Sequence, residues 1–570
     1  MKKIVILLAA VCSQLMAETV FEENFNQKPE GWKTSPSMQW LPTAGKNGSG
    51  AFSATRDDAK TPISAIKLIP LEHNTKYRFT IHYRTEMKPT PKYTVQEIFA
   101  LRFFKNGKPA AGIFSPRKEP GSKKDWATFS VDFSVPNDCD KTVQISLLLR
   151  TGRVGQIWYD DIKIEKLATV QKPDTLGEPY LTHPDVGRIT VNFVTVKPMA
   201  AAVDYRPAGT KNWKRVYDLL GGQARNDKNE HHITLTGLVP NQKYEYRTVL
   251  LPIPELQMEF YSDVKHFVSV SDKPTDFSVF YTSDTQTAMK TRIDLLRDFR
   301  KNCKLDQVPL IIHGGDITSY YDKSSREIFL DTFVNVFTEK NSFSPMFAAV
   351  RGNHEYRGLE SGNFFRYLSG GTDKSYFAFT YGHVYFIVLD VGETTPRIAH
   401  LLHYARNYEI QMLDEQRIFL KQAVASKEFQ NAEFRIVIAH APYIKEEKNM
   451  MRSIDRIAKG ILFDTENPAK IHLWLAGHTH AYSRPTALNS SKQKVFANAK
   501  PVNYGANLPF VTLINDGPGC GGPDFSAIRL DFTKGKITVK AMERAGKVFD
   551  SFSISADGSI QEISSTLIEK

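Results

Sequence analysis

The sequence predicts a multidomain protein in which two all-β sandwich domains precede an α/β (α+β) domain with two packed mixed sheets. Its 570 residues exceed what one hydrophobic core usually absorbs. Up to about residue 272, short alternating apolar runs are separated by Gly, Pro and Asn clusters, a pattern typical of strands and turns. After residue 276, continuous apolar runs alternate with amphipathic stretches of helical length, which indicates buried strands covered by helices. A composition of 41% hydrophobic and 24% charged residues excludes a disordered or fibrous chain.

The first residues, MKKIVILLAAVCSQLMA, have the layout of a secretory signal peptide over residues 1–17. Lys2 and Lys3 precede an apolar run, and the small residue Ala17 marks the predicted cleavage site. The run is too short to span a membrane as a stable helix. A lipoprotein signal at Cys12 is the alternative, but Val11 stands where a small residue is needed. The sequence therefore predicts a secreted or periplasmic protein that does not span a membrane.

Charge and cysteine content narrow the possible partners. Removing the two lysines of the leader lowers the formal net charge from +12 to +10. Such a basic surface either has no specific role or attracts anionic substrates and envelope polymers. No nucleic-acid binding motif is present in the sequence. The remaining cysteines, Cys139, Cys303 and Cys520, are odd in number and irregularly spaced, which excludes a disulfide framework and a zinc ribbon and favours burial.

Residues 18–168 form the first predicted sandwich. Alternating runs such as YRFTIHYRT and WATFSVDFSVP lead to a closing strand, GQIWYDDIKIEKL. This layout resembles the jelly-roll carbohydrate-binding modules attached to secreted enzymes, and the resemblance implies a possible glycan partner. Trp40, Trp126 and Trp158 would either form a sugar-stacking platform or pack in the core, and we favour packing for most of them.

Residues 169–272 form the second predicted sandwich, and residues 273–570 form the third predicted domain. The run LTGLVPNQKYEYRTVL in the second sandwich resembles a fibronectin type III domain. KPTD, at residues 273–276, is interpreted as a linker.

Five loops of the third domain carry the residues that point to chemistry. Each follows a predicted strand, and ligands of α/β sheets collect at the carboxyl ends of strands. The loops are Ser283–Gln286, Gly314–Asp316, Gly352–Glu355, Val437–His440 and Gly477–His480. Their carboxylate, amide and imidazole donors suit Zn, Fe or Mn ions, whose identity the sequence leaves open. Six or seven donors are too many for one tetrahedral ion, so the set predicts two metal ions that share a bridging carboxylate.

GNHE, VIAH and AGHTHAYSR, in this order, resemble the metallophosphoesterase (calcineurin-like) superfamily. The resemblance covers about residues 276–530 and is closest to purple acid phosphatases with an N-terminal fibronectin type III-like domain. It implies that Asp284 and His480 hold the first metal, that Asp316 bridges, and that the second metal has three further ligands. Those ligands are Asn353, His440 and His478.

The first metal site departs from the family pattern. Many superfamily members have a histidine where this chain has Gln286, and purple acid phosphatases use a tyrosinate where this chain has Ser319. Either Gln286 supplies an amide oxygen or Tyr320 reaches the metal, and we favour Gln286. In that case iron-loaded protein would lack the purple iron–tyrosinate colour.

The resemblance implies a secreted, acid phosphatase-like phosphoesterase that cleaves phosphomonoesters by in-line attack of a metal-bridging hydroxide. His354 would contact the phosphate and assist the leaving group, with Asn353 beside it. Arg351 and Arg484 are candidates for clamping the phosphate, or for structural salt bridges. His313 and Asp390 are interpreted as structural.

Two alternatives remain open at this stage. The same metal core would serve a phosphodiesterase or nucleotide-cleaving enzyme, because substrate choice lies in variable loops. A non-catalytic glycan-binding protein with a degenerate phosphatase domain is the other, motivated by the missing donors at the first metal. A carbohydrate hydrolase has no support, since no carboxylate pair stands apart from the metal motifs.

Overall fold

The computed structural model describes residues 17–57, 62–88, 97–115, 123–149, 154–252, 258–322, 327–393, 409–504, 507–517 and 525–570. The predicted signal peptide up to residue 16, with Cys12, lies outside the described residues, and so does Cys520. Cys139 and Cys303 are buried and free. Within the described residues, none of the helices combines the length and the apolar character needed to cross a membrane.

The chain forms two compact units. The first contains the residues up to Pro173 together with Leu251–Phe260, and the second contains Asp174–Leu250 and Tyr261–Lys570. In its described part the first unit holds eleven strands. They are β1 (Glu18–Glu23), β2 (Lys33–Thr34), β3 (Met38–Leu41), β4 (Ala51–Arg56), β5 (Ile63–Pro70), β6 (Thr75–Lys88), β7 (Phe99–Lys105), β8 (Lys108–Phe114), β9 (Lys123–Ser134), β10 (Thr142–Leu149) and β11 (Val154–Thr169).

These strands build two antiparallel sheets around one core. One sheet has the order β3-β4-β11-β6-β9, with β1 also paired to β11, and the other has the order β2-β5-β10-β7-β8. The alternating sequence of β6 explains why this sheet has one buried face. Phe79 and Ile81 point into the core, while Arg78 and Thr80 contact side chains of β9 on the outer face. The predicted all-β sandwich is thus confirmed for this region.

The three tryptophans considered for sugar stacking divide between two environments. Trp40 packs against the core, and its indole N–H donates to the carbonyl oxygen of Phe25 at 2.8 Å. Trp126 and Trp158 instead lie on either side of Arg84, whose guanidinium carbon is 4.1 Å from the ring of Trp158. Glycan binding by these residues stays a prediction.

The second unit begins with short strands between residues 180 and 268. They are β12 (Tyr180–Asp185), β13 (Arg188–Val194), β14 (Ala200–Pro207), β15 (Lys214–Tyr217), β16 (Leu219–Leu220), β17 (Gln223–Ala224), β18 (Glu230–Thr236), β19 (Lys243–Leu251), β20 (Phe260–Tyr261) and β21 (Lys265–Val268). Strands β14, β15, β19, β20 and β21 form one sheet, whereas β12, β13 and β18 continue a sheet of the C-terminal segment. The fibronectin-like character and the domain limits at residues 168–169 and 272–273 stay predictions.

The C-terminal segment adds fifteen strands within the described residues. They are β22 (Phe277–Thr282), β23 (Leu310–His313), β24 (Met346–Ala349), β25 (Phe377–Tyr381), β26 (Val384–Leu389), β27 (Phe434–Ala439), β28 (Leu473–Ala476), β29 (Ser483–Pro485), β30 (Gln493–Val495), β31 (Val511–Ile514), β32 (Ser526–Thr533), β33 (Lys536–Glu543), β34 (Val548–Ser555), β35 (Ile560–Ser565) and β36 (Ile568–Glu569). The α-helices are Met289–Asn302, Asn335–Thr338, Phe364–Tyr367, Glu409–Ala425, Lys427–Asn431 and Lys448–Ala458, and Glu327–Val334 is π-helical.

Two mixed sheets carry these strands. The ten-stranded sheet has the order β18-β13-β12-β24-β23-β22-β32-β33-β34-β35, and the eight-stranded sheet has the order β25-β26-β27-β28-β31-β29-β30-β36. Phe532 of the first sheet contacts Phe386 and Phe434 of the second, so the two sheets pack face to face. The predicted arrangement of two packed mixed sheets is confirmed.

Parallel strands at the centre of each sheet position the motif loops. Strands β22, β23 and β24 pair in parallel, as do β26, β27 and β28. Their apolar residues are buried on both faces, which is why each reads as a continuous apolar run. Because parallel strands end at the same edge, all five motif loops emerge at the carboxyl ends of these two sets.

Candidate metal centre

Four residues of the loops adopt left-handed backbone conformations. Asp284 and Asp316 have φ of 54° and 57°, and His478 and His480 have φ of 72° and 55°. Positive φ is uncommon outside glycine and costs of order 1 kcal/mol or more per residue, so surrounding structure must stabilise it. All four residues lie in loops at the carboxyl ends of the parallel strands. Their left-handed conformations direct four potential ligand side chains toward one region.

Glycines next to these residues allow the loops to approach closely. A Cβ atom on Gly477 would stand 1.9 Å from Oδ2 of Asp284, and one on Gly352 would stand 2.3 Å from Oδ1 of Asp316. Any side chain at either position would displace a carboxylate. The glycines of the motifs therefore give the carboxylates the space they occupy.

Asp316, His440 and His478 form the centre of the site. The atoms that they offer as ligands lie within 4.8 Å of one another. Nε2 of His440 is 3.1 Å from Oδ2 of Asp316 and 3.1 Å from Oδ1 of Asn353. Nδ1 of His478 is also 3.1 Å from Oδ1 of Asn353, so a single amide oxygen faces both imidazoles.

Asp284 and His480 adjoin this centre. Nε2 of His480 is 3.5 Å from Oδ1 of Asp284, and Nε2 of His440 is 4.0 Å from the same oxygen. The backbone N–H of His478 donates to both oxygens of Asp284, at 2.9 and 3.0 Å. All six residues for which the resemblance implies metal ligation are thus brought together around Asp316.

Gln286 also belongs to the cluster. Its amide nitrogen donates to Oδ2 of Asp316 at 2.7 Å, while its Oε1 is buried and has no hydrogen-bond partner among the described residues. Tyr320, the alternative donor, is 43% exposed. An unsatisfied buried oxygen beside carboxylates and imidazoles is an acceptor that a cation would satisfy, so the donor set fits metal ions at both predicted positions.

His354 lies at the border of the cluster. Its Nε2 is 3.7 Å from Oδ2 of Asp316, and its Nδ1 is 2.8 Å from the carbonyl oxygen of Ser319. Arg357 adds a contact that the sequence reasoning missed, because its Nη1 lies 2.9 Å from Nε2 of His354. Glu393 holds the other side of this guanidinium through two hydrogen bonds of 2.8 and 2.9 Å.

Glu355 is the second residue that sequence reasoning missed. Its fully buried carboxylate accepts from the backbone N–H groups of Gly352, Asp316 and Ile317 at 2.8, 2.8 and 2.9 Å. The hydroxyl of Tyr321 donates to the same carboxylate. Glu355 therefore ties the loop of Asp316 to the loop of Asn353 and His354. Its position in GNHE could have indicated this role, because an acid that is buried at the end of an apolar strand needs hydrogen-bond donors.

Burial and mutual charge set the protonation of the cluster. Burial raises the pKa of Asp284, and burial with the nearby Asp316 charge raises the pKa of Glu355 to about 7. Burial also opposes ionisation of Asp316, but His440 holds the pKa of Asp316 below its usual value. The His440 imidazole loses solvation, yet the two aspartates raise its pKa to about 10. Without a cation, a proton on His440 therefore balances the carboxylates.

Burial lowers the pKa of two further histidines at this edge. The pKa of His354 falls below its usual value, and that of His313 falls to about 3. His313 is fully buried, and its Nε2 is 3.0 Å from the hydroxyl of Thr285. The structural interpretation of His313 agrees with this packing.

The two arginines predicted to clamp phosphate do not join the cluster. Arg484 is buried and makes a two-pronged ion pair with Asp550, at 2.6 and 3.0 Å. Its guanidinium is consumed by that partner, so its prediction as a substrate-binding residue is wrong. Arg351 lies with its guanidinium carbon 3.6 Å from the ring centre of Tyr356 and its Nη1 3.9 Å from Asp390. These contacts correspond to the structural alternative, and Arg357 occupies the place beside His354 instead.

Comparison with known proteins relates this part of the chain to a protein family. Residues 277–482 match the family model described as calcineurin-like phosphoesterase. No curated protein sequence matches the chain.

Solved structures resemble the chain at low identity. A purple acid phosphatase isolated from yellow lupin (Lupinus luteus) seeds is 14% identical, with 92% of this chain and 95% of that chain covered and a TM-score of 0.43. The structure titled PhoD is 13% identical, with 70% and 93% covered and a TM-score of 0.46. The CBM22-1 xylan-binding domain from Paenibacillus barcinonensis is 11% identical, with 27% and 97% covered and a TM-score of 0.22.

The match to the family model spans all five motif loops, from the strand that precedes Asp284 to the turn that holds His480. The predicted resemblance is thereby confirmed at the level of the domain. Residues 277–482 form a calcineurin-like phosphoesterase domain, whose family implies the general class of phosphoester hydrolase.

Proposed function

We propose that the protein is an exported phosphomonoesterase that works with two metal ions. The observation that carries the proposal is the convergence of Asp316, His440 and His478, whose ligand atoms lie within 4.8 Å of one another. These residues are about 160 positions apart along the chain at the extremes and come together only through the two sheets. The cluster lies inside a domain of the phosphoesterase family. A metal-dependent hydrolytic role therefore explains it best.

The donors divide into two sets around Asp316. Asp284, Gln286 and His480 would hold one metal, and Asn353, His440 and His478 would hold the other. Iron, zinc and manganese all suit these donors. Metal ions bound there would neutralise phosphoryl oxygens and lower the pKa of water, so that a nucleophile is present near neutral pH.

The surrounding residues fix the ligand atoms in the required state. Nδ1 of His440 is 2.9 Å from the carbonyl oxygen of Gly314, so the Nδ1 proton donates there and Nε2 is left to face the cluster. This arrangement selects the tautomer that binds a metal through Nε2. The proton that His440 carries in the absence of a cation would be released on metal binding.

His354 is the group that would act on the substrate. It touches Asp316 without entering the inner cluster, and its side chain is 22% exposed. Ser319 and Arg357 hold its ring from two sides. In this geometry Nδ1 donates to Ser319 and Nε2 accepts from Arg357. A proton taken up at Nε2 in place of the Arg357 contact would stabilise the alcohol oxygen as it leaves phosphorus, while Arg357 would add positive charge beside it.

Two further parts of the proposal rest on the sequence. Export follows from the predicted signal peptide, and a glycan partner follows from the resemblance of the first unit to carbohydrate-binding modules. Trp126 and Trp158 both lie beside Arg84, but Trp158 is buried, so the glycan partner rests on the sequence resemblance alone.

A metal analysis combined with a panel of phosphate esters tests the proposal. We expect about two metal ions per chain in the active protein and hydrolysis of p-nitrophenyl phosphate but not of its bis ester. Preferred cleavage of the bis ester would replace the monoesterase with a diesterase. Fewer than one bound metal per chain together with no hydrolysis of any ester would overturn the proposal and favour a binding protein. Sequencing the N-terminus of the exported protein tests cleavage near Ala17.

A further inference from the structure

A cavity next to the metal centre has no role in the proposed chemistry so far. Its volume is about 370 Å³, and its lining includes Thr287, Ser319 and Tyr320. Thr287 follows the predicted ligand Gln286 directly, and Ser319 supplies the carbonyl oxygen that lies 2.8 Å from Nδ1 of His354. The cavity therefore opens where the leaving group of a phosphoester would emerge. Its volume is in the range of small-molecule sites.

The floor of the cavity holds a buried arginine. Arg292 is 3% exposed, and its Nε and Nη2 donate to the carbonyl oxygens of Thr285 and Thr287 at 3.1 and 2.7 Å. Its Nη1 donates to the hydroxyl of Thr332 at 3.2 Å. No carboxylate of the described residues lies within ion-pair distance of this guanidinium, and two of its five N–H donors remain for a ligand.

The rim has the opposite character. Met289 and Tyr320 are 42% and 43% exposed and place apolar surface at the mouth of the cavity. Met289 begins the helix that follows the Asp284 loop, and Tyr320 lies in the loop that follows Asp316, so both exposed side chains lie close in sequence to predicted metal ligands. Exposed methionine and tyrosine beside a polar floor suit a flat or ring-shaped ligand with a polar perimeter.

The charges of the lining limit what that ligand carries. Asp322 and Glu327 line the cavity together with Arg292, so acidic groups outnumber basic ones. A second anionic group on the substrate would be repelled by the two acids, whereas hydroxyl groups would donate to them and accept from Arg292 and the threonines.

We infer that this cavity binds the leaving group of the substrate, and that the leaving group is a neutral hydroxylated ring. The inference rests on the proposed function and names its substrate class. The sugar of a hexose phosphate and the ribose of a nucleoside monophosphate share this chemistry. Tyr320 would pack on the ring, and the acids and Arg292 would bind its hydroxyl groups.

Substitution of Tyr320 tests the inference. Because Tyr320 is also the alternative donor to the first metal, the metal content of the variant is measured alongside, and a loss of metal would overturn the inference. The metal-loaded full chain is assayed with a hexose 6-phosphate, a nucleoside 5′-monophosphate and ethyl phosphate, which has no ring. We expect Tyr320→Ala to lower kcat/KM for the preferred ring ester about tenfold, equivalent to the loss of one aromatic contact. Hydrolysis of ethyl phosphate and inhibition by inorganic phosphate should stay unchanged, because neither ligand has a ring for Tyr320 to pack on.

Tyr217→Ala is the matched control, since Tyr217 is 42% exposed in the same unit but does not line the cavity. The ratio between hexose and nucleoside esters in the unsubstituted protein identifies which source of the ring is preferred. Equal loss for all three esters, or no loss for either ring ester, would overturn the inference while leaving the phosphoesterase proposal intact. Absence of hydrolysis of every ester by metal-loaded protein would instead remove the proposed function itself, and this inference with it.

Discussion

The first unit and the edge of the second unit that carries the five motif loops, here called the motif edge, are both built from β-sheets. They differ in which charged side chains they bury and in what those side chains contact. Of the residues that the structure describes in the first unit, Arg56 and Asp160 are the buried charged ones. At the motif edge, Asp284, Asp316 and Glu355 are buried within a few positions of strand ends.

The partners of the buried acids differ as well. Asp160 accepts from the backbone N–H of Lys46 at 2.8 Å and from the hydroxyl of Ser49 at 2.7 Å, so a distant turn of the same sandwich satisfies it. Asp284 and Asp316 face each other across His440 and repel one another. A folded chain tolerates such a pair only when something positive is placed between them. The sandwich thus satisfies its buried acid with its own donors, whereas the motif edge places a histidine between two buried carboxylates, an arrangement that the proposed metal ions would stabilise.

Of the replacements considered, that of His440 should have the largest effect on the motif edge and none on the first unit. His440→Ala removes the group that lies between the two aspartates and faces Asn353, so we expect loss of bound metal and of hydrolysis to the detection limit. Metal content by elemental analysis and turnover of p-nitrophenyl phosphate measure both effects. As a control, His82→Ala in the first unit should change neither quantity. Full metal content in His440→Ala would show that His440 is not a ligand.

Replacement of His354 should separate chemistry from metal binding. We expect His354→Ala to lower kcat by about 10²–10⁴-fold, the usual contribution of a general acid, with metal content unchanged. The 3.7 Å distance between its Nε2 and Asp316, and its contact with Ser319, place it beside the cluster and not within it. Equal losses of turnover and metal would make His354 a ligand or a structural support.

Glu355 should show how the loops are held together. Glu355→Gln keeps the shape but puts an amide N–H₂ where one carboxylate oxygen now accepts from Ile317 and Tyr321. We expect a loss of about 1–3 kcal/mol in the free energy of unfolding and of about 10–100-fold in metal affinity. Urea unfolding and metal titration measure these quantities. Glu72→Gln, at an exposed ion pair of the first unit, should change stability little. An unchanged metal affinity in Glu355→Gln would mean that the loops are positioned without it.

The sequence predicted which residues form the candidate metal cluster because the residue types that bind metals can be read locally. GNHE and AGHTHAYSR place glycine beside the donors, and Gly352 and Gly477 do have no room for a side chain. The apolar runs before them predicted parallel strands, and β22, β23 and β24 are parallel.

Contacts between residues that are far apart along the chain could not be predicted from the sequence. Arg484 follows the last motif directly, yet it pairs with Asp550, 66 positions later along the chain. Arg357 and Glu393 meet beside His354 only in the folded chain. The strands of residues 180–236 also gave no sign that β12 pairs with β24, because that pairing depends on which sheet edge is available and not on local pattern.

Acidification should produce the smallest difference between the two regions, and it acts away from the metal cluster. Burial lowers the pKa of His183 and of His232 to about 4, and both lie in the second unit. Below about pH 6.5 the unfolded chain binds protons at these histidines that the folded chain does not, so the free energy of unfolding falls as the pH falls toward 4. Each histidine contributes up to about 3 kcal/mol to this loss.

Urea unfolding of the second unit between pH 7 and pH 4.5 measures this effect. His232→Gln removes one of the two groups and should make the pH dependence of the unfolding midpoint shallower. The replacement also keeps a polar partner for Asn192, whose Oδ1 lies 2.7 Å from Nδ1 of His232. A pH dependence of the same steepness in His232→Gln would show that His232 does not contribute to the acid sensitivity of the second unit.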